Sequence, residues 1–216
     1  AYGKSLANAF EIRAGEIGLN VVDRRSYDST TGTSHFRKML RAWTQYYRFD
    51  AIFLAGVVSQ AADFITLARK MGVDAPILGG DGLDTPKLMD IAGKHANGVI
   101  VGTYFHPEES NSKVQEFVRT FKKRYGHKPD VWAAQAYASL HLLAKAMRQA
   151  KSTKPQEVAH ALRSMEPFES VIGHTEFNEQ GDVIKRTITT KIVKDQQFEH
   201  LGLHAPKTSN ERPGTQ

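Results

Sequence analysis

The sequence predicts an α/β fold, a parallel sheet flanked by helices, followed by part of a second lobe. Three observations carry this. Helical and apolar strand-like segments alternate from the first residues to Thr103, which places helices on both faces of a parallel sheet. The stretch Asp50–Gly82 (DAIFLAGVVSQAADFITLARKMGVDAPILGGDG) reads as buried strand, Gly turn, amphipathic helix, turn and second buried strand. The pattern also opens on a helix, whereas a right-handed crossover unit needs a strand before it. One strand of the sheet is therefore expected to be missing, and the sequence to be a fragment of a longer protein.

The first helix is expected over Ser5–Gly18, with Leu6, Phe10, Ala14 and Ile17 on one stripe and Gly18 as a stop. Val21–Tyr27 reads as a strand and Ser29–Gly32 as a turn. A second helix follows near Ser34, because Phe36, Met39, Leu40, Trp43 and Tyr47 recur every three or four residues, apart from the adjacent Met39-Leu40. Next come the strand Ala51–Ala55, a helix Ser59–Met71, the strand Pro76–Gly79, a short helix opened by Thr85-Pro86, and the strand Gly98–Thr103. The polar, proline-containing connector Tyr104–Asn111 (YFHPEESN) marks a lobe boundary. Beyond it lie helices over Lys113–Tyr125, Val131–Ala150 and Pro155–Ser164, with no strands of their own. Turns at Gly173 and Asn178–Gly181 bracket the short run Thr175–Phe177. A strand Arg186–Val193, a hairpin turn at Asp195-Gln196 and a strand Phe198–Leu201 close the ordered part, and the polar tail 204–216 is expected to be disordered.

Composition narrows the function classes. At 40% hydrophobic, the 216 residues have enough apolar mass for a real core. With no cysteine, disulfides, zinc–thiolate sites and cysteine nucleophiles are excluded. No apolar run reaches the roughly 18 residues that crossing a membrane requires. The net charge of +6 invites a nucleic-acid reading. Its densest group, Lys122-Lys123-Arg124, however, lies opposite an apolar stripe of Val114, Phe117, Val118 and Phe121, as a solvated helix face would. No nucleic-acid-binding signature accompanies it.

Asp81 is the leading candidate site residue. It stands just past the carboxyl end of the strand Pro76–Gly79, at the rim where open α/β sheets bind ligands. A carboxylate there points to a ligand carrying a cation such as an ammonium group. The plainer alternative is that Asp81 caps its own turn beside Gly82. His200 and His204 share H-x-x-x-H spacing but straddle Gly202 and lack the glutamate of H-E-x-x-H, so no metal site is expected. The G-x-S-x-G, P-loop and G-x-G-x-x-G motifs are absent, and neither a cofactor nor catalysis is indicated.

Six segments in order resemble a known family: YGKSLANAF, DAIFLAGVVSQAADFITLARKMGV, PILGGDGL, IAGKHANGVIV, PDVWAAQAYASLHLLAKAM and VIGHTEFNEQGDV. They are similar to the type I periplasmic binding proteins, in the branch for branched-chain amino acids, over about Ala1–Leu201. The resemblance implies two α/β lobes joined by three crossover strands that close over a ligand. It assigns 1–103 to the second lobe lacking its first strand, 104–182 to part of the first lobe, and 183–203 to a return to the second. It implies that Asp81 accepts the α-ammonium of an amino acid and that Tyr2 offers an aromatic face to the ligand, its hydroxyl free for a polar contact. Val57 and Ser59 would line the loop after the strand Ala51–Ala55. Exposed N–H groups and the Ser59 hydroxyl could bind a polar group there, or Ser59 could be a plain helix cap. Val57 departs from the aromatic that leucine-type members often carry, which leaves the ligand's identity open.

The expected function is therefore an extracytoplasmic, periplasmic solute-binding protein. It would deliver an amino acid or similar solute to the membrane permease of an ABC transporter. The same fold also serves sensors, cell-envelope activators and repressor effector domains, so a regulatory module is the alternative.

Overall fold

Ile52, Leu54, Ile77 and Val101, from three short strands, are all at most 6% exposed. A parallel sheet covered on both faces requires such continuous apolar runs. The computed structural model describes residues 2–184 and 186–204. The chain divides into two units: residues 1–103 with 190–201, and residues 104–189 with 202–216.

The first unit begins with α1 (Tyr2–Glu16) and α2 (Thr33–Tyr46). Then β1 (Ile52–Leu54), α3 (Gln60–Lys70), β2 (Ile77–Gly79), α4 (Lys87–Ala92) and β3 (Ile100–Thr103) alternate as expected. β1 pairs with β2 in parallel, Ile52 opposite Ile77 and Leu54 opposite Gly79. β2 pairs with β3 in parallel, Leu78 opposite Ile100. β7 (Ile188–Lys194) and β8 (Gln197–His204) complete the order β1-β2-β3-β7-β8. β3 meets β7 through Gly98 N–H to the Val193 carbonyl (2.8 Å) and Val193 N–H to the Val99 carbonyl (2.9 Å). The core beneath the sheet gathers Phe36 and Leu40 of α2, Phe64 and Ile65 of α3, and Leu88 of α4. Phe36 and Leu40 lie one turn apart on α2, and Phe36 meets Phe64 edge-to-face at 5.5 Å.

Two expectations are corrected. Val21–Tyr27 forms no strand among the described residues. A strand exists only in a ladder with a neighbour, and β1 is the sheet's edge in the observed order. The segment is instead pinned by side chains: Arg24 bonds Glu11 (2.7 Å) and Asn8 (2.7 Å) of α1, and Trp43 donates to Asp23 (2.8 Å). The second unit also does have strands of its own. β4 (Phe168–Ser170), β5 (Gly173–Phe177) and β6 (Val183–Ile184) form a three-stranded antiparallel sheet.

Its helices are α5 (Ser112–Tyr125), α6 (Val131–Ala150) and α7 (Pro155–Ser164). Asn111 caps α5 by accepting from Lys113 N–H, and Gly126 ends it in the left-handed conformation. Asp130 caps α6 through Ala133 N–H, and Pro155 opens α7. Phe105, Phe117, Val131 and Ile172 anchor one cluster in this unit; Ala146, Val158 and Ala161 form a second where α6 meets α7. The tail read as disordered, 204–216, lies outside the described residues from 205 onward.

Candidate functional site

Three segments of the first unit converge at the carboxyl ends of β1 and β2: the start of α1, the loop 55–59, and the 3-10 turn Asp81–Leu83. Small residues allow the approach. A side chain on Gly82 would collide with the Gly56 carbonyl, and one on Gly56 with the Tyr27 hydroxyl. Loop 55–59 is also tied to the turn by a hydrogen bond from Val58 N–H to the Gly82 carbonyl (3.1 Å).

Asp81 opens the turn, half-buried, and its backbone carbonyl accepts from Asp84 N–H (3.0 Å). Its side chain does not cap the turn. Oδ1 instead accepts from the Tyr2 hydroxyl at 2.7 Å, from 79 residues away in sequence. The same hydroxyl accepts from Gly82 N–H at 3.1 Å. The structure thus brings Tyr2 and Asp81 together, with Tyr2 locking the carboxylate to the turn's backbone. The Tyr2 hydroxyl, expected to be free, is engaged in both roles, while the residue stays 41% exposed.

Val57 is 51% exposed on the loop. Ser59 immediately precedes α3 but makes no side-chain cap hydrogen bond, so the plain-cap reading is not realised. Its backbone sits at φ 107°, ψ −80°. A non-glycine residue there is strained, by about 1–3 kcal/mol. The loop is joined to the turn through Val58, between the two, whose N–H bonds the Gly82 carbonyl.

Sequence reasoning passed over two features near the turn. The Tyr27 hydroxyl is buried beside Gly56 without a hydrogen-bond partner among the described residues, and burial pushes its pKa up to about 12. It is therefore a neutral group at neutral pH. The second is Asp84, the residue directly after the turn, which is 2% exposed. It accepts from Lys191 Nζ at 2.9 and 2.8 Å and from the Thr103 hydroxyl at 2.6 Å. No local signal marks this cluster, since Asp84 and Lys191 are 107 residues apart.

The arrangement presents a partly exposed carboxylate at a sheet rim, backed by a tyrosine and lined by loop backbone. That suits a cationic donor on a small polar ligand. Among the described residues no group of three or more His, Asp or Glu side chains is disposed to hold a metal ion.

A family described as periplasmic binding protein matches residues 1–197. "Leu/Ile/Val-binding protein homolog 1" of Brucella abortus is 28% identical over 183 residues, covering 84% of this chain and 47% of its own length. A leucine binding protein from Thermotoga maritima superposes with a TM-score of 0.82 at 29% identity, over 95% of this chain and 57% of the other. An ABC transporter substrate-binding protein from Desulfitobacterium hafniense, solved in complex with Leu, gives a TM-score of 0.75 at 32% identity, over 93% of this chain and 57% of the other. The chain spans about half the length of the curated relatives it matches.

Proposed function

The chain belongs to the periplasmic binding protein family, and from that premise we propose that it captures an amino acid or similar small ligand outside the cytoplasm. In this reading the ligand passes to the membrane permease of an ABC transporter. The observation that carries it is the Asp81 carboxylate, held at the rim of a parallel sheet by the Tyr2 hydroxyl and open to a charged donor. A ligand ammonium there gains a charge-assisted hydrogen bond. Val57, 51% exposed, and the backbone around Ser59 belong to the loop at the same rim. The relatives named for leucine, isoleucine and valine support an amino acid as the class. The reading assigns residues 1–103 with the returning strands to one lobe and the α5–α7 unit to part of the other. It involves binding and release without catalysis.

A thermal-shift screen of the full-length protein against the common amino acids tests this, since a ligand of the folded state raises the unfolding midpoint by mass action. At least one amino acid is expected to raise it, and Asp81→Ala is expected to abolish the rise. A flat response across amine-containing solutes would sink the amino-acid reading in favour of a regulatory module.

A further inference from the structure

Lys191, Asp84 and Thr103 form a cluster that the proposed binding reaction does not itself use. All three are at most 3% exposed, inside the first unit. Lys191 Nζ bridges both carboxylate oxygens of Asp84, at 2.9 and 2.8 Å, and the Thr103 hydroxyl donates to Oδ2 at 2.6 Å. The ammonium also lies 5.5 Å from the Phe198 ring of β8, within cation–π range. Replacing a buried ion pair with apolar side chains of the same volume is often neutral or stabilising. Packing alone therefore does not account for them.

What the charges do follows from where they are attached. Asp84 is the residue directly after the turn Asp81–Leu83, and its N–H bonds the Asp81 carbonyl at 3.0 Å. Thr103 ends β3 and is the last residue before the chain leaves the first unit. Lys191 lies on β7, one residue after the chain re-enters it at Thr190. A charged pair with two directed bonds fixes angle as well as distance, which an apolar contact does not.

We propose that Lys191 and Thr103 are positioning residues that, through Asp84, hold the Asp81 turn in ligand-ready geometry against β3 and β7. This rests on the ligand-binding reading of Asp81. The cluster would set affinity by keeping the turn preorganised, without touching the ligand.

The test uses the full-length protein with three variants: Asp84→Leu/Lys191→Met, Thr103→Val and Thr103→Ser. Replacing both charges avoids leaving one buried alone, and Thr103→Val removes only the hydroxyl should the double variant fail to fold. Hydrogen exchange is followed at Leu83 and Asp84, whose amides bond back within the turn, with α3 amides as control. Leucine binding is followed by calorimetry. The double variant is expected to exchange at least about tenfold faster at the turn with α3 unchanged, and to bind leucine at least about tenfold more weakly. Thr103→Val should show a smaller loss in the same direction, and Thr103→Ser should restore parent behaviour. Folded variants with parent exchange at the turn would overturn the proposal. So would exchange that accelerates equally in α3, which would mean general destabilisation. If the parent binds none of the common amino acids, the binding reading fails, while the exchange measurement still decides whether the tether exists.

Discussion

Ser59 is the residue whose conformation is least comfortable and whose side chain explains it least. It holds φ 107° without a cap hydrogen bond at the start of α3. Ser59→Gly is expected to raise the unfolding free energy by about 1 kcal/mol, because glycine adopts positive φ without a Cβ clash. Ser59→Ala should leave it near the parent value, whereas a working cap would cost about 1 kcal/mol on the same change. Urea unfolding of the two variants separates the cases. At this scale the sequence revealed what is local: Asp81 stands directly after an apolar strand and its glycines. The Tyr2 bond, which turns that carboxylate from a turn residue into a presented one, spans 79 residues and has no local mark. The same holds for Lys191, which alternation misplaces. In β7 the hydrophobic pattern would bury Ile188, yet Ile188 is 41% exposed while Thr189 and Lys191 are 2% and 3% exposed. Lys191 shares its buried face with Val193 of the core, and Asp84 supplies the partner its buried charge needs.

Hairpins carry the tests at the scale of elements. Asp195 and Gln196 join β7 to β8 with φ 46° and 60°, the two positive values that a mirror-image two-residue turn demands. Gln196→Gly should stabilise the chain by about 1 kcal/mol in urea unfolding by relieving the Cβ penalty. The backbone bond from residue 196 N–H to Asn97 is retained. In the β4–β5 hairpin, His174 sits opposite Glu169, with its ring 2.6 Å from that carboxylate and 3.5 Å from Glu176. The hydrogen bond to Glu169, aided by Glu176, holds the imidazole above its ordinary pKa. The sign follows: the pair's stabilisation is fully present below the unfolded value of about 6.5 and is lost as pH rises through the folded one. The urea midpoint of the parent should exceed that of His174→Gln by more at about pH 5.5 than at about pH 9; an equal gap at both would remove the charge from the explanation. The helices were legible because each has its own period and stops, such as Asn111 and Gly126 around α5. Val21–Tyr27 was misread because β-patterned residues become a strand only beside a partner.

For the whole molecule, the cores determine which measurements are informative. The cluster built on Phe36, Phe64, Ile77 and Leu88 lies entirely within the first unit. Those built on Phe105, Phe117 and Val131, and on Ala146 and Val158, lie within the second. The two tryptophans divide the same way, Trp43 in the first unit and Trp132 in the second. Trp43 packs edge-on against Phe49 and Phe64, so its fluorescence reports the first core. Leu88, fully buried in that core, offers a clean lesion, and Leu88→Ala should cost about 2–5 kcal/mol through lost burial and the cavity left behind. Because the damage falls in one core, the loss is expected in the transition followed in a Trp132→Phe background, where Trp43 reports alone. The transition followed in a Trp43→Phe background should move less, since Trp132 reports the other unit. If both midpoints fall together by the full amount, the chain unfolds as one cooperative body, and stability measured anywhere in it reports on the candidate site. If they separate, only first-unit readouts bear on Asp81 and its tether, and ligand effects should be sought with Trp43.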